Sequence, residues 1–532
     1  MTDYPLLLSA TIPFLIALFF FFFFRQSPRR ASDFPPGPPP IPILGNIHQI
    51  PLQKSYIKFA KWAQQYGPIV GLRLGPQRAI VLNTWTAVRD LLDQRGAIYS
   101  SRPTIPLIEH MGITDTHPAF MKYTKNWRRA RKSMAEYLKD SEVDKRMSIQ
   151  DAESSQMMWE ILQRPGEYKE AVERSFAAVM LDTVYGRRGT IDVTKRFFKI
   201  QDEWTALLDP GAMPPFDVLP FLRYVPDWLT PWRGWRQRAE ALKQKKDGVY
   251  RGLFQDARER VVQGKVDDSF VARLLEEQEK EGYTDYDLEY VAGLLLEGGA
   301  DTASTAFSVF VLAMAVFPEL QRKAQEEVDG VFGKCMPAAP EGADATKLPY
   351  LKACFWEILR WRPGFPTGVP HATTKDDTYQ GYSIPANTTV ILNTWAIEQN
   401  PVDHTSPNAF DPTRFLTSKF GTTHPESDAP PTEADAWRRQ SYAFGAGRRV
   451  CPGQRMAENS MLLAMAKVVW AFDIVSLEGE GELDLSMETG FTDAFLTAPK
   501  EGRIGFEIRG ERRREVVERE WERADGLLKR FE

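Results

Sequence analysis

Apolar residues change their spacing several times along this chain, and each change marks an element. Residues 5–24, PLLLSATIPFLIALFFFFFF, are apolar and uncharged, a run about long enough to cross the ~30 Å hydrocarbon of a bilayer as one helix. Arg25, Arg29 and Arg30 follow directly, which predicts an uncleaved anchor with its basic side in the cytosol. The stretch FPPGPPPIP at 34–42 predicts a stiff hinge of polyproline character. Short β patterns come next, IVGLRL at 69–74 and RAIVL at 78–82, separated by Gly75-Pro76 and therefore read as a hairpin. From Trp85 to about Phe332 the helical period dominates. Its longest apolar stretch runs from about Asp285 to Val316, with Thr284 placed to cap it. A strand-rich part returns over 369–390, and one more long helix follows Cys451. Residues 511–532 are dense in charge, with Val516, Val517, Trp521, Leu527 and Leu528 interspersed, and predict a solvated amphipathic tail helix. No internal repeat is present. The pattern predicts a mainly α fold with a smaller β-rich region behind one N-terminal transmembrane helix. Its divisions are a short tail at 1–4, the anchor at 5–24, a basic and proline-rich hinge at 25–42, the main domain at 43–510 and the charged helix at 511–532.

Composition narrows the class. With 532 residues, 43% hydrophobic and 26% charged, the chain can bury a large core and is neither disordered nor fibrous. A formal net charge of -4 gives no general attraction to nucleic acid. Only three cysteines are present, Cys335, Cys354 and Cys451, which predicts a reducing compartment and no disulfide framework. None of the six histidines stands at zinc-finger spacing from a cysteine.

Cys451 lies in FGAGRRVCPG at 444–453. Glycines such as Gly445 let the backbone curl around the sulfur and aim amide N–H groups at it, and a helix starting at Gln454 favours the thiolate. That is the environment an axial thiolate to a haem iron needs. Arg449 is placed to meet a haem propionate and Phe444 to cover the ring on the thiolate side. The plainer reading of such a cysteine is a buried thiol beside a glycine turn. Upstream, EILR at 357–360 puts Glu357 and Arg360 on one helix face, and a buried pair of this kind persists only with further hydrogen bonds. FDPTRF at 410–415 adds Arg414. GGADT at 298–302 is poor helix material inside the longest apolar helix. Small residues there admit a flat macrocycle and a diatomic ligand, with Thr302 to hold the distal oxygen and Asp301 to relay protons; the alternative is a glycine kink at a helix crossing. In WRRAR at 127–131, Trp127 and Arg131 lie one turn apart and can converge on one carboxylate.

The pattern F-x-x-G-x-R-x-C-x-G resembles the haem-binding loop of the cytochrome P-450 family. The proline hinge, W-x-x-x-R, the glycine–acid–threonine helix and E-x-x-R followed by P-x-R-F resemble the family's other motifs, so the likeness covers nearly the whole chain beyond the anchor. It implies the cytochrome P-450 fold, haem b with Cys451 as iron ligand, and cofactor contacts from Arg449, Phe444, Gly445, Trp127, Arg131 and His371. It further implies proton delivery by Asp301 and Thr302, and a structural triad of Glu357, Arg360 and Arg414 that locks the loop leading to the cysteine. The reaction implied is oxidation of a hydrophobic small molecule with O2 and two electrons from NADPH. No G-x-G-x-x-G follows a strand, and 532 residues are not expected to hold a fused reductase, so the electrons are expected from a separate NADPH–cytochrome P-450 reductase at the endoplasmic reticulum membrane, with the catalytic domain facing the cytosol. Arg128, Arg129, Lys132 and Arg448 are expected to form a basic rim for that donor. Segments 103–120, 208–228, 365–369 and 491–496 are expected to line an apolar substrate pocket open to membrane lipid. The apolar and aromatic lining segments suit a hydrophobic polycyclic or lipid-like substrate, and the stretch 357–415 is similar to filamentous-fungal members that tailor secondary metabolites, which makes a polycyclic metabolite the expected substrate. Ser460 departs from the common pattern, where many relatives carry an acid, at a position expected to pack. Two other readings remain: a haem-thiolate isomerase or dehydratase acting on a peroxide, and a non-catalytic haem-binding membrane protein. Neither needs Asp301 and Thr302.

Overall fold

The computed structural model describes residues 33–216, 218–265, 268–422, 438–477, 483–500 and 502–529. The predicted anchor at 5–24 lies outside the described residues, as do 1–4 and 25–32.

Helix α1 (Ser55–Tyr66) leads into β1 (Ile69–Leu74) and β2 (Gln77–Leu82), the expected hairpin. Its turn requires Gly75, which has φ +58° and whose Cβ would stand 2.1 Å from the Val218 carbonyl oxygen. The longer helices that follow are α2 (Lys125–Tyr137), α3 (Met147–Gln163), α4 (Tyr168–Tyr185), α5 (Ile191–Leu208), α6 (Trp235–Val262) and α7 (Phe270–Glu281). Then come α8 (Asp285–Val316), α9 (Pro318–Phe332) and α10 (Pro349–Trp361). The strand-rich part contains β3 (His371–Ala372), β4 (Asp377–Tyr379), β5 (Tyr382–Ile384) and β6 (Thr389–Leu392). After the cysteine loop come α11 (Gln454–Ala471), β7 (Phe472–Ser476), β8 (Ile504–Ile508) and α12 (Glu511–Leu528). The main sheet has the order β1-β2-β6-β3, with β6 parallel to β2, while β4 pairs with β5 and β7 with β8. The fold is thus mainly helical with small sheets.

Helix α8 organises the core because its apolar residues cover the whole circumference, as a fully buried helix requires. Its C-terminal half joins a cluster with Phe176, Phe355, Leu462 and Trp470, and its N-terminal half another with Met134, Phe254 and Phe270. Thr284 caps it as predicted: its Oγ1 accepts from Asp287 N–H at 3.1 Å and Asp287 Oδ2 accepts from Thr284 N–H at 3.0 Å, a reciprocal capping box. Among the described residues only α8 is long and apolar enough to cross a membrane, and 67% of its most apolar window is buried inside the protein, so it is a core helix.

The tail helix departs from expectation. One face of α12 is solvated, but Val516, Val517, Ala524 and Leu528 are buried. Trp521 stacks on Trp159 of α3 with ring centroids 5.0 Å apart, and Arg188 pairs with Asp525 at 2.9 Å. The apolar stripe is wide enough to dock on α3, so α12 is part of the packed globule.

Candidate active site

The cysteine loop is built by glycines and held by acids. Gly445 and Gly447 have φ +75° and +64°, and a Cβ on Gly447 would lie 2.2 Å from the Leu92 carbonyl oxygen. The Cys451 amide donates to the Phe444 carbonyl at 2.9 Å, which closes the loop. Asp93 accepts from the Gly447 amide at 2.7 Å and pairs with Arg439. The Phe444 ring packs edge-on against Trp356 of α10, 6.2 Å between centroids. Cys451 is solvent-accessible, yet its sulfur is strongly desolvated, with the net effect of raising the thiol pKa; the Gly453 amide and the Arg131 charge oppose this. The two observations agree for an atom on the wall of a cleft, reached by solvent from one side and enclosed by protein on the others. The start of α11 therefore does not by itself make Cys451 a thiolate, contrary to the sequence expectation, because desolvation outweighs the local dipoles.

Beside the cysteine three guanidiniums converge. Arg449 donates to the carbonyls of Ser100 (2.9 Å), Pro118 (3.2 Å) and Met121 (2.6 Å), and lies over the Trp127 ring at 4.0 Å. Arg102 donates to the carbonyls of Ala119 (2.9 Å), Val369 (2.5 Å) and Pro370 (2.9 Å). Desolvation pushes the pKa of Arg102, Arg131 and Arg449 down, and for Arg449 the charges of Arg102 and Arg131 push further the same way. Guanidiniums do not give up their protons in proteins, so this strain measures a concentration of positive charge without a carboxylate. A dianionic ligand fits it, and the two propionates of haem are such a ligand. His371 is the fourth member. Its Nδ1–H donates to the Tyr99 carbonyl at 2.9 Å, and burial with the Arg102 charge pushes its pKa well below the usual value. The ring is therefore neutral with Nε2 bare, until an anion reverses the local field.

On α8 the two glycines have different reasons. A Cβ on Gly299 would fall 2.4 Å from Met180 Sδ of α4, whereas one on Gly298 would meet nothing within 4 Å. Gly299 serves helix packing, and Gly298 is the one with space beside it. The helix runs unbroken through both. The Thr302 hydroxyl donates to the Gly298 carbonyl at 2.6 Å. Burial pushes Asp301 up to about 7, with Asp202 adding to the effect and a hydrogen bond from Gln201 opposing it.

The predicted triad is assembled, with a modified reach. Glu357 Oε2 accepts from Arg360 Nε at 2.7 Å and Oε1 from Arg360 Nη2 at 2.8 Å, both side chains having no exposure. Arg414 Nε lies 3.4 Å from Glu357 Oε1, and the Asp411 amide donates to the same oxygen at 2.8 Å. Arg360 also donates to the carbonyls of Glu398, Pro407 and Ala409, and Arg414 to those of Thr405 and Ser406. The triad thus clasps 398–411, and Glu398 carries the link onward by accepting from the Tyr442 amide at 2.9 Å. Ser460 is buried and donates to Gln150 at 3.1 Å.

The expected basic rim is thinner than its sequence. Arg129 is spent on the carbonyls of Glu281 and Gly282 and lies 4.0 Å over Tyr283; Lys132 approaches Glu281 at 3.6 Å, and Arg448 donates to the Tyr123 hydroxyl. Arg102 was missed by sequence reasoning, since a lone arginine in SSRPT carries no motif. The segments expected to line a pocket do meet: Phe365 and Phe495 lie 5.4 Å apart, and Leu107, Ile108, Phe120 and Phe216 share one cluster with Val369 packed against it. That cluster is not purely apolar, for Lys246 and His117 are buried beside it with Glu297.

Comparison with known proteins agrees with this geometry. Residues 35–506 match the family described as Cytochrome P450. A cytochrome P-450 monooxygenase of Arthrobotrys oligospora is 35% identical over 94% of this chain and 94% of its own. Others, from Aspergillus aculeatus and Aspergillus clavatus, are 33% and 32% identical, each over 97% of this chain and 96% of its own.

Proposed function

The chain belongs to the cytochrome P-450 family and is one of its monooxygenases, and from that premise we propose that it oxidises a hydrophobic small molecule, a polycyclic fungal secondary metabolite, with Cys451 as axial ligand of haem b. When bound, the haem would supply dioxygen activation and transfer of one oxygen atom to substrate. The observation that carries the residue assignment is the Arg102–Arg131–Arg449 cluster beside Cys451, one buried and two half-buried cations, with no carboxylate among the partners named above for Arg102 and Arg449. These side chains would hold the propionates and so orient the ring, and the glycine loop would hold Sγ, as a thiolate, toward the iron.

Asp301 and Thr302 handle protons. With its pKa near 7, Asp301 is protonated part of the time at neutral pH and can pass a proton from its carboxyl toward Thr302. Asp202, exposed to solvent, stands close enough to Asp301 to raise its pKa and can recharge it. Thr302 Oγ1–H would have to leave the Gly298 carbonyl to donate to any other acceptor. Electrons come from a separate NADPH–cytochrome P-450 reductase. The apolar run at 5–24 with Arg25, Arg29 and Arg30 behind it supports a single-pass anchor in the endoplasmic reticulum with the globule in the cytosol. The test is the carbon monoxide difference spectrum of the dithionite-reduced protein, followed by substrate-dependent NADPH consumption with reductase. A strongly red-shifted Soret band and coupled product formation are expected; a reduced haem spectrum without that shift would refute Cys451 ligation.

A further inference from the structure

Three ionisable side chains from distant parts of the sequence meet in the interior beside α8. Glu297 of α8 accepts from His117 at 3.2 Å through Oε2 and pairs with Lys246 of α6 through Oε1. His117, Lys246 and Glu297 are 1%, 1% and 5% exposed. Lys246 lies 4.1 Å over the ring of Trp204. The imidazole of His117 is boxed by Phe120, Trp204 and Tyr290, with centroids at 5.0, 5.8 and 6.0 Å. Burying three such groups is no cheaper than a hydrophobic trio of the same volume, so stability alone gives no reason for them.

Their position gives one. Pro118, next to His117, offers its carbonyl to Arg449, and Ala119 offers its own to Arg102. Glu297 immediately precedes Gly298, the acceptor for Thr302. The triad therefore spans from the arginine edge beside Cys451 to the Asp301–Thr302 turn of α8. The Lys246 charge, with help from His117, holds Glu297 down at about 2, so the carboxylate is a pure acceptor and the imidazole nitrogen facing it must carry a proton. Lys246 already balances that carboxylate. In the tautomer that gives its Nε2 proton to Glu297, Nδ1 carries the lone pair, and Nδ1 is buried with no hydrogen-bond partner among the described residues. A buried acceptor left unmet is costly, and a ligand hydroxyl in the aromatic box would meet it.

We infer that His117 is a specificity-determining residue: oriented by Glu297 and Lys246, its Nδ1 accepts a hydrogen bond from a hydroxyl group on a hydrophobic, ring-bearing substrate. This rests on the monooxygenase reading for its meaning. It is tested without turnover. Equilibrium dialysis of the haem-loaded protein against 2-naphthol and against naphthalene gives an affinity ratio, taken for wild type, His117→Phe and His117→Gln. Loss of the bond in His117→Phe is expected to lower the ratio about 10-fold. His117→Gln, whose amide keeps a donor for Glu297 and an acceptor oxygen, is expected to retain most of the preference, which a merely structural role for His117 would not produce. A ratio unchanged in His117→Phe, or binding of neither compound by wild type, overturns the inference. The reduced carbon monoxide band of the same three samples is read in parallel: its absence in wild type falls on the monooxygenase reading, while the dialysis ratio still decides the role of His117.

Discussion

Glu357→Gln keeps the shape of a side chain and removes its charge where no water can compensate. Glu357 and Arg360 have no exposure, and the carboxylate takes two bonds from Arg360 and one from the Asp411 amide, with Arg414 at 3.4 Å. A glutamine keeps one acceptor oxygen but turns an N–H2 group toward a guanidinium that remains charged. Charge-assisted bonds of this kind contribute about 1.5–3 kcal/mol each, and breaking a buried ion pair by removing one partner costs about 3–5 kcal/mol. Arg360 and Arg414 keep their carbonyl acceptors, which limits the loss, so about 3–5 kcal/mol is the expected total. For a chain of this size that corresponds to a fall in apparent melting temperature of roughly 3–5 °C. Because the triad clasps 398–411 and Glu398 holds Tyr442, the damage should reach the cysteine loop as haem loss. Scanning calorimetry of the purified holoprotein gives the first quantity, and the ferrous carbon monoxide amplitude per mole of chain gives the second. A variant that melts within about 1 °C of wild type and keeps its full haem complement would refute both the energy and the route.

Cys451→Ala should abolish the red-shifted ferrous carbon monoxide band, and a variant that kept it would place the iron ligand elsewhere. Asp301 has its pKa raised to about 7, so its proton is present below that pH and lost above it; product formed per NADPH should fall as pH rises through this range, and Asp301→Asn should remove that limb of the profile. Gly299→Ala forces a Cβ to 2.4 Å from Met180 Sδ and should cost about 1–3 kcal/mol, less if the methionine swings aside. Gly298→Ala meets no protein atom and should be neutral or stabilising by up to about 1 kcal/mol from helix propensity alone. Melting curves of the two variants separate them, and equal effects would show that the glycines are interchangeable.

Much of the fold was legible because its signals are local. The turn at Gly75, the capping box at Thr284 and Asp287, the i to i+3 spacing of Glu357 and Arg360, and the positive φ of Gly445 and Gly447 each depend on a few adjacent residues. The tail helix was read less well. Its charge was visible, but whether Trp521 meets water or Trp159 depends on a helix more than 350 positions away.

The sequence by itself determined that Cys451 sits in a glycine loop ahead of a helix, that Asp301 and Thr302 stand together on the longest apolar helix, and that an E-x-x-R pair precedes the loop. Only the tertiary structure decided what those groups experience. Desolvation raises the Cys451 thiol against the local dipoles, Arg102 joins Arg131 and Arg449, and Gly299 belongs to packing while Gly298 does not. His117, Lys246 and Glu297 carry no motif, and their meeting depends on three segments folding onto one another. Backbone geometry and helical spacing act over one turn of chain, so the order of residues encodes them directly. Burial and Coulomb fields act through space, and they exist only once segments remote in sequence have excluded water from between them.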